Sequence, residues 1–465
     1  MVKKFLAPLF ALIFFIAFLG VDMDSIGQVT YNDILNSPKN DWLTYGGDYL
    51  SQRHSPLYQI NDKNISGLKL KWEFKAGDSE NTRGTPLVHD GVMYATNANG
   101  VFAINAANGK ELWRWRVSEK KISGLNRGAA LLDDKVFFVT GDCKLTALNQ
   151  ATGQLLWQNK YISGKGYYCT LAPLAVKDQV VAGVSIRENS KNRGFVASFD
   201  AKTGKELWRF WTTPSLEEPG SATWVSGSYD PESNTVYWPT GSPLPTESAN
   251  KWPGNNLYSN CLLALDANTG KLKWYFQFTP YHNHHWDSNE VPVLLNETFG
   301  SKSRKLILQA NRNGIFYVLD RTDGKFISDR PFVECSNLFG ATNWMAPSYD
   351  PQTRMFYTIA FESCGQEDSR TYVKAIDQSS WKIKWEHELK GNEFMSAGIV
   401  STAGNLVFTA DKDKNFIALN AKTGQPLWRY HLEYSVFASP ISYAINGIQY
   451  VAISAGEKIY VFSLT

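Results

Sequence analysis

The sequence predicts an all-β protein, folded as a single β-propeller of eight blades. Composition favours β-structure, because aromatic residues make up 14% of the 465 residues, including 16 Trp, and 35 Gly accompany them. Aromatic residues favour strands, and glycine is typical of the tight turns between short strands. An internal repeat is the most specific observation, since a period of about 40 to 50 residues is typical of propeller blades.

The repeat is a phrase of the form Ala-x-(Asn/Asp)-x-x-Thr-Gly-x-x-x-Trp. Each copy predicts a β-hairpin: an apolar strand, a turn whose Asn or Asp and Gly adopt special backbone angles, and a second strand that ends at Trp. A degenerate copy covers residues 316–327. We expect the repeated tryptophans to pack ring to ring between blades rather than to surround a cofactor. The copies that end at tryptophan do so at Trp113, Trp157, Trp208, Trp274, Trp385 and Trp428.

The two ends of the chain predict the eighth blade. Residues 68–74 have the pattern of a second strand, with Trp72, but no first strand precedes them. Residues 450–464 supply two strands that no Trp-closed strand follows. Pairing the two ends would remove free sheet edges, as in other closed propellers. We therefore predict one propeller domain over residues 28–465.

The N-terminal segment, residues 1–27, predicts export from the cytoplasm. Met-Val-Lys-Lys precedes an apolar run over residues 5–19, as in a secretory signal. The run is long for a signal and no clear Ala-x-Ala site follows, so an uncleaved membrane anchor is the alternative. Both interpretations place the body outside the cytoplasm. Disulfides are permissible there, and the 5 cysteines would leave one unpaired.

The charge distribution favours a small-molecule ligand. The 47 basic and 44 acidic residues are spread along the chain, giving a formal charge of +3 without a basic stripe, so no nucleic acid partner is expected. No Cys-x-x-Cys-His sequence occurs, so we expect no covalent c-type haem on this chain. A cluster of three histidines at positions 282, 284 and 285 lacks the helical spacing typical of a zinc site.

Two segments resemble a known family. Residues 41–75, DWLTYGGDYLSQRHSPLYQINDKNISGLKLKWEFK, and 84–94, GTPLVHDGVMY, are similar to the pyrroloquinoline quinone (PQQ)-dependent alcohol dehydrogenases of the methanol dehydrogenase type. The similarity extends from about residue 41 to the C-terminus and includes the order and spacing of motifs. It implies an eight-bladed periplasmic propeller with PQQ and a Ca²⁺ or lanthanide ion near its axis. The number of blades agrees with the repeat.

The resemblance also implies cofactor contacts at individual positions. Arg127 lies in Asn-Arg-Gly, Arg312 in Asn-Arg-Asn-Gly, and Trp224 stands where the family stacks the planar quinone. Cys335 and Cys364 match a family disulfide. The complete set that matches PQQ-contacting positions is Arg127, Thr170, Ser185, Trp224, Arg312 and Asn343.

Catalytic and metal-binding residues follow from the same resemblance. Asp287 matches the catalytic aspartate, which can remove the hydroxyl proton of an alcohol as hydride leaves the carbon. Arg312 would stabilise negative charge on the reduced quinone. Glu188, Ser242 and Asp287 match the metal-binding positions, and hard cations need such oxygen ligands. The cation would act as a Lewis acid on the quinone oxygen.

Several positions depart from the family pattern. Two adjacent cysteines that form a wall against PQQ are replaced by Lys121 and Ile122. Arg83 stands in place of a glutamate, Ser242 in place of a metal-binding asparagine, and Ser396 in place of a tryptophan of the quinone floor. Lanthanide enzymes of the family have an extra aspartate two residues after the catalytic one. This chain has Asn289 there, which favours Ca²⁺.

Two functions from different classes remain open on the sequence alone. The first is oxidation of a small alcohol or sugar alcohol to an aldehyde or ketone, with electrons passing to a separate cytochrome c or quinone. The second is a non-catalytic propeller that serves as a binding scaffold. A lipidated scaffold would need a cysteine at the end of the signal, and no cysteine precedes Cys143.

Overall fold

The chain forms eight blades of four antiparallel strands each. The strands of blades 1 to 4 are Leu87–His89, Val92–Asn97, Gly100–Asn105, Glu111–Arg116; Ala130–Leu132, Lys135–Val139, Lys144–Asn149, Leu155–Lys160; Leu174–Val176, Gln179–Ala182, Phe195–Asp200, Glu206–Trp211; and Ser228–Asp230, Thr235–Pro239, Cys261–Asp266, Leu272–Gln277. This computed structural model describes residues 23, 26–37, 39–77, 82–117, 124–188, 190–214, 220–244, 256–280, 286–299, 302–336, 340–365, 369–391 and 396–464.

Blades 5 to 8 complete the ring. Blade 7 also receives a short parallel strand, His54–Ser55, beside Val400–Thr402. The strands of these four blades are Val293–Phe299, Lys302–Ala310, Ile315–Asp320, Phe326–Pro331; Ser348–Asp350, Met355–Ser363, Ser369–Asp377, Lys382–Leu389; Val400–Thr402, Leu406–Ala410, Asn415–Asn420, Pro426–His431; and Ile441–Ile445, Ile448–Ala455, Lys458–Ser463, Lys69–Lys75.

Blade 8 joins the two ends of the chain, as the sequence predicts. Lys69–Lys75 pairs antiparallel with Lys458–Ser463, and Trp72 lies opposite Val461. The indole of Trp428, from blade 7, donates to the carbonyl of Leu68 over 3.1 Å. The last seam of the ring is therefore closed by a contact across 360 residues of sequence.

The seams between blades have a recurring contact. Six tryptophans pack on a turn glycine of the next blade, whereas at the seam of blades 7 and 8 Trp428 packs on the ring of Phe462. The expected ring-to-ring packing between blades is therefore found at that seam, and a tryptophan-on-glycine contact takes its place at six others. The glycines have φ between 67° and 77°. A Cβ on them would lie 2.4–2.7 Å from the tryptophan ring, so only glycine fits. The glycines are Gly109, Gly153, Gly204, Gly270, Gly324 and Gly424.

One seam reverses this arrangement. In the degenerate repeat, Ser328 pairs with Val318 at the register that a tryptophan occupies in other blades. The turn of the following blade has Trp381, at φ 55°, where the others have glycine. Its ring is buried and lies 6.0 Å from the ring of Phe316. The missing tryptophan on one side is thus replaced by a tryptophan on the other.

The N-terminal segment docks on blades 1 and 2. A helix, Tyr31–Asn36, begins at Thr30 with a capping box, and Val29 forms a β-bridge with Asp133. A short 3₁₀ helix covers Ile65–Gly67. Neither helix is long and apolar enough to cross a membrane, nor is any other helix among the described residues. Residues 1–22 lie outside the described residues, so the predicted signal or anchor over 1–27 stays a prediction.

Two disulfides link loops of the propeller. Cys335 is bonded to Cys364, which confirms the pairing implied by the resemblance. Cys143 is bonded to Cys169. Cys261 is the cysteine left over, and its thiol is buried.

Candidate active site

A cavity of about 330 Å³ is formed by segments that enter the first strands of successive blades and by loops between second and third strands. Three short ladders hold these segments together: Thr82–Thr85 beside Asn126–Gly128, Tyr167–Tyr168 beside Ser185–Ile186, and Gly220–Ser221 beside Pro243–Leu244. The cavity is lined by Arg83, Leu125, Arg127, Tyr168, Thr170, Ser185, Ile186, Glu188, Ala222, Trp224, Leu244, Asp287, Asn343 and Trp344.

Arg127 is at the centre of a buried polar group. Its backbone N–H donates to the carbonyl of Thr170 over 3.0 Å, and its Nη1 donates to Thr170 Oγ1 over 2.7 Å. The hydroxyls of Thr170 and Ser185 lie 3.3 Å apart. Burial lowers the pKa of Arg127 to about 10. These three predicted cofactor contacts are therefore brought together.

Two indole rings line the same cavity. Trp224 and Trp344 meet edge to face, with ring centroids 6.4 Å apart. The guanidinium of Arg127 lies 4.6 Å from the centroid of Trp224. Asn343, the residue before Trp344, is buried at the cavity wall. The predicted quinone-contacting residues Trp224 and Asn343 thus adjoin the Arg127 cluster.

The Asp287 carboxylate is held on both oxygens. Oδ1 accepts from the backbone N–H of Ser242 over 2.7 Å. Oδ2 accepts from Trp224 Nε1 over 3.3 Å and lies 3.8 Å from Arg312 Nη1. Gly241 permits this approach, because a Cβ there would lie 2.8 Å from Asp287 Oδ1. The carboxylate is fixed in orientation while it still faces the cavity.

The predicted metal residues occupy different positions around the cavity. The carboxylates of Glu188 and Asp287 both line it. Glu188 is exposed, whereas Ser242 is buried and contacts Asp287 through its backbone N–H. Two of the three predicted metal ligands, Glu188 and Asp287, thus line the cavity, and Ser242 lies next to Asp287.

Asn289 has a structural role behind the cavity. In the amide orientation that satisfies its neighbours, its oxygen lies 2.8 Å from Trp224 Nε1 and 3.1 Å from the Gly241 N. It shares the indole N–H with Asp287 Oδ2 and the Gly241 N–H with the carbonyl of Ala222. Its nitrogen donates to the carbonyl of Pro239 over 3.0 Å. A carboxylate could not make this last bond, since it has no N–H to donate.

The departures from the family pattern have different outcomes. Arg83 lines the cavity. The hydroxyl of Ser396 is buried and donates to the carbonyl of Ala410 over 2.7 Å. Lys121 and Ile122 lie outside the described residues, as does the histidine cluster at 282, 284 and 285.

The sequence did not identify several residues near the cavity, among them Trp344, Tyr168 and Glu290. Trp344 and Tyr168 line it, and the position of Trp344 directly after Asn343 was the available signal. Glu290 is buried, and desolvation raises the pKa of its carboxyl well above the ordinary value even though the charge of Arg312 acts in the opposite direction. No local pattern marks Glu290, because its environment depends on distant segments.

Comparison with known proteins identifies the family. Residues 42–334 and 369–451 match the family described as PQQ, glucose/ethanol/alcohol dehydrogenase, beta-propeller domain. A quinohemoprotein alcohol dehydrogenase, ADH IIB from Pseudomonas putida, is 33% identical over 90% of this chain and 73% of its own length.

Solved structures agree with this match. The quinohemoprotein alcohol dehydrogenase from Comamonas testosteroni superposes with a TM-score of 0.88 at 28% identity, over 94% of this chain and 82% of that chain. A europium-containing methanol dehydrogenase gives a TM-score of 0.84 at 25% identity, over 92% and 99%. These findings confirm the predicted enzyme class rather than the scaffold alternative. The chain is a divergent member of the PQQ-dependent alcohol dehydrogenase family.

Proposed function

We propose that this quinoprotein oxidises a small alcohol or sugar alcohol to an aldehyde or ketone, using PQQ and Ca²⁺ in the cavity described above. The geometry of Asp287 is the main support. Its carboxylate is oriented by Ser242, Trp224 and Arg312 and faces the cavity that the Arg127 cluster also lines. A fixed base beside a cationic, indole-lined cavity suits oxidation of an alcohol on a planar anionic cofactor.

The residues present fit PQQ, which is planar and has three carboxyl groups. Arg127 Nε is buried and has no hydrogen-bond partner within the described residues, so a ligand oxygen is needed there. The hydroxyls of Thr170 and Ser185 add hydrogen-bond donors beside it. Trp224 and Asn343 supply an aromatic face and an amide.

Asp287 acts as the general base in this proposal. When bound, PQQ supplies a quinone carbon that accepts the hydride of the alcohol, and a divalent cation increases its electrophilicity. Asp287 takes the hydroxyl proton of the alcohol. Arg312 provides positive charge at this end of the cavity, which favours negative charge that develops beside it.

Oxygen ligands for the cation would come from Glu188, Ser242 and Asp287. Carboxylate and hydroxyl oxygens suit a hard cation such as Ca²⁺. The amide of Asn289 is engaged with Trp224, Gly241 and Pro239, so this position does not add a further carboxylate. That arrangement supports Ca²⁺ over a lanthanide ion.

The two disulfides support a periplasmic location, because such bonds persist in oxidising compartments. The signal-like pattern of residues 1–27 supports the same location and allows a membrane anchor as the only membrane contact. Electrons would pass to a separate cytochrome c or quinone, since the sequence contains no Cys-x-x-Cys-His motif.

Reconstitution tests this proposal. The purified protein is incubated with PQQ and Ca²⁺, and absorption spectra and dye reduction are recorded with a panel of alcohols and sugars. We expect a bound-quinone spectrum and alcohol-dependent dye reduction that both disappear when EDTA replaces Ca²⁺. Absence of both signals would rule out the proposed reaction, and activity with La³⁺ but not Ca²⁺ would correct the metal.

A further inference from the structure

Arg83 and Arg127 are neighbours in the wall of the cavity. They lie on the paired parallel strands Thr82–Thr85 and Asn126–Gly128. Their guanidinium carbons lie 5.8 Å and 5.7 Å from the ring centroid of Trp344. One indole therefore contacts both cations.

Neither arginine has an acidic partner in the part of the chain that the structure describes. Arg127 donates to Thr170, and no hydrogen bond of Arg83 involves a carboxylate there. The Nε atoms of Arg83 and Arg127 are both buried without a hydrogen-bond partner. Arg127 is buried and Arg83 is half-buried. Since burial of an unpaired charge is costly, an anion in this part of the cavity would be stabilised.

Arg83 has an aromatic neighbour as well as a cationic one. Its guanidinium lies 4.3 Å from the ring of Phe437. Burial lowers the pKa of Arg83, and the charge of Arg83 contributes to lowering the pKa of Arg127. The two positive charges therefore disfavour each other.

We propose that Arg83 and Arg127 together bind a carboxylate of PQQ, so that Arg83 is a second cationic ligand of the cofactor. The proposal rests on the proposed function, because PQQ is taken as the occupant. Guanidinium groups form short, charge-assisted pairs with carboxylates. In the family pattern a glutamate stands at the position of Arg83. We assign to Arg83 a role in binding the cofactor, with a charge opposite to that of the glutamate.

A carboxylate on the substrate, as in a hydroxy acid, is the other source of the same chemistry. The cofactor is favoured because both arginines contact Trp344 in the wall that also contains Trp224, Thr170 and Ser185. The alcohol must instead approach Asp287, which is already associated with Arg312.

Equilibrium binding of PQQ tests the proposal without turnover. Quenching of tryptophan fluorescence would report binding, since Trp224 and Trp344 line the cavity. PQQ is compared with its uncharged trimethyl ester, for wild type, Arg83→Met, Arg83→Lys and the matched control Arg187→Met. Arg187 is exposed and does not line this cavity, so its loss removes the same charge nearby.

We expect Arg83→Met to weaken PQQ binding by about tenfold or more, which corresponds to about 1.4 kcal/mol, while ester affinity stays unchanged. Arg83→Lys should retain part of the affinity, and Arg187→Met should resemble wild type. Circular dichroism and Tm confirm folding of each variant, and Arg83→Lys serves as the test if Arg83→Met does not fold.

Four results would contradict the proposal. Unchanged PQQ affinity in Arg83→Met, or an equal loss for PQQ and ester, would remove Arg83 from the cofactor site. Unchanged PQQ affinity with a selective rise in KM for hydroxy acids would assign the anion to the substrate. Failure of wild type to bind PQQ would overturn the proposed function itself, which is distinguishable from failure at Arg83 alone.

Discussion

The seams between blades and the axial cavity are built in opposite ways. A seam uses one repeated set of groups, a tryptophan on one blade and a turn glycine on the next, and this contact recurs around the ring. The cavity uses each residue once, from loops of different blades. Stability is therefore distributed over many similar contacts, whereas chemistry depends on single residues. Changes at a seam should affect unfolding, and changes at the cavity should affect cofactor binding or turnover.

The largest expected effect is at Asp287. We expect Asp287→Asn to reduce kcat by about 10³-fold, within the range for loss of a general base. The amide is isosteric, and its one oxygen can still accept from the Ser242 N–H, so only the longer 3.3 Å contact with Trp224 is lost. PQQ affinity and Tm should therefore change little. Steady-state kinetics of the reconstituted enzyme and tryptophan quenching would measure both. Undiminished turnover would remove Asp287 from the role of base.

At a seam, we expect the reverse result from Trp208→Ala. The Trp208 ring is 7% exposed, packs on Gly270, and donates from Nε1 to the carbonyl of Ala267 over 2.9 Å. Its loss should lower the free energy of unfolding by about 3 to 5 kcal/mol. Urea denaturation would measure this, with PQQ affinity of the folded fraction as the control. A large loss of PQQ affinity without destabilisation would contradict the separation of seam and cavity.

The same contrast explains what the sequence could predict. The repeat and the half-blades at the two ends predicted all eight blades, because each hairpin is encoded by contiguous residues. The sequence placed Arg127, Thr170, Ser185 and Asp287 at one site through resemblance alone, since their proximity comes from segments far apart in the chain. The sequence did not predict that repeat tryptophans pack on turn glycines, because glycine has no side chain that would indicate such a contact.

Charge at the cavity was equally hard to predict. From the sequence, Arg83 was interpreted as the loss of a family glutamate, because residue types can be compared only position by position. The structure shows Arg83 beside Arg127, a relation set by a parallel ladder between two loops. Likewise, the burial of Glu290 depends on packing that no single segment encodes.

The reversed seam offers a smaller effect and a compensating change. Trp381→Gly removes the buried ring beside Phe316, and we expect a loss of about 2 to 4 kcal/mol in unfolding free energy. Adding Ser328→Trp should recover a substantial part, because it recreates the tryptophan-on-glycine contact of the other seams. Chemical denaturation of the two single variants and the double variant would give the coupling. If the losses of unfolding free energy from the two substitutions were additive, a tryptophan-on-glycine contact would not be able to replace the buried Trp381 at this seam.

The smallest expected effect is at the docked N-terminal segment, a contact outside both regions. His89 Nδ1 lies 2.9 Å from Asp41 Oδ2, and Nε2 lies 3.0 Å from the carbonyl of Gly27. Burial lowers the pKa of His89, but the hydrogen bond to Asp41 and the charges of Asp41 and Asp90 outweigh it and raise the pKa above 6.5. The protonated ring donates on both sides, so its stabilisation is complete below pH 6.5 and is lost as pH rises through the folded-state pKa.

His89→Gln should remove this pH dependence while it keeps a polar side chain at the site. We expect wild type to exceed the variant by about 1 kcal/mol in unfolding free energy at acidic pH and to lose that advantage as pH rises. Denaturation over a pH series would measure the difference. If the unfolding free energies of wild type and variant changed with pH in parallel, the imidazole ring of His89 would be neutral in the folded protein. None of the residues around His89 lines the cavity. Loss of PQQ affinity in the variant would therefore show that the N-terminal segment is coupled to the cavity.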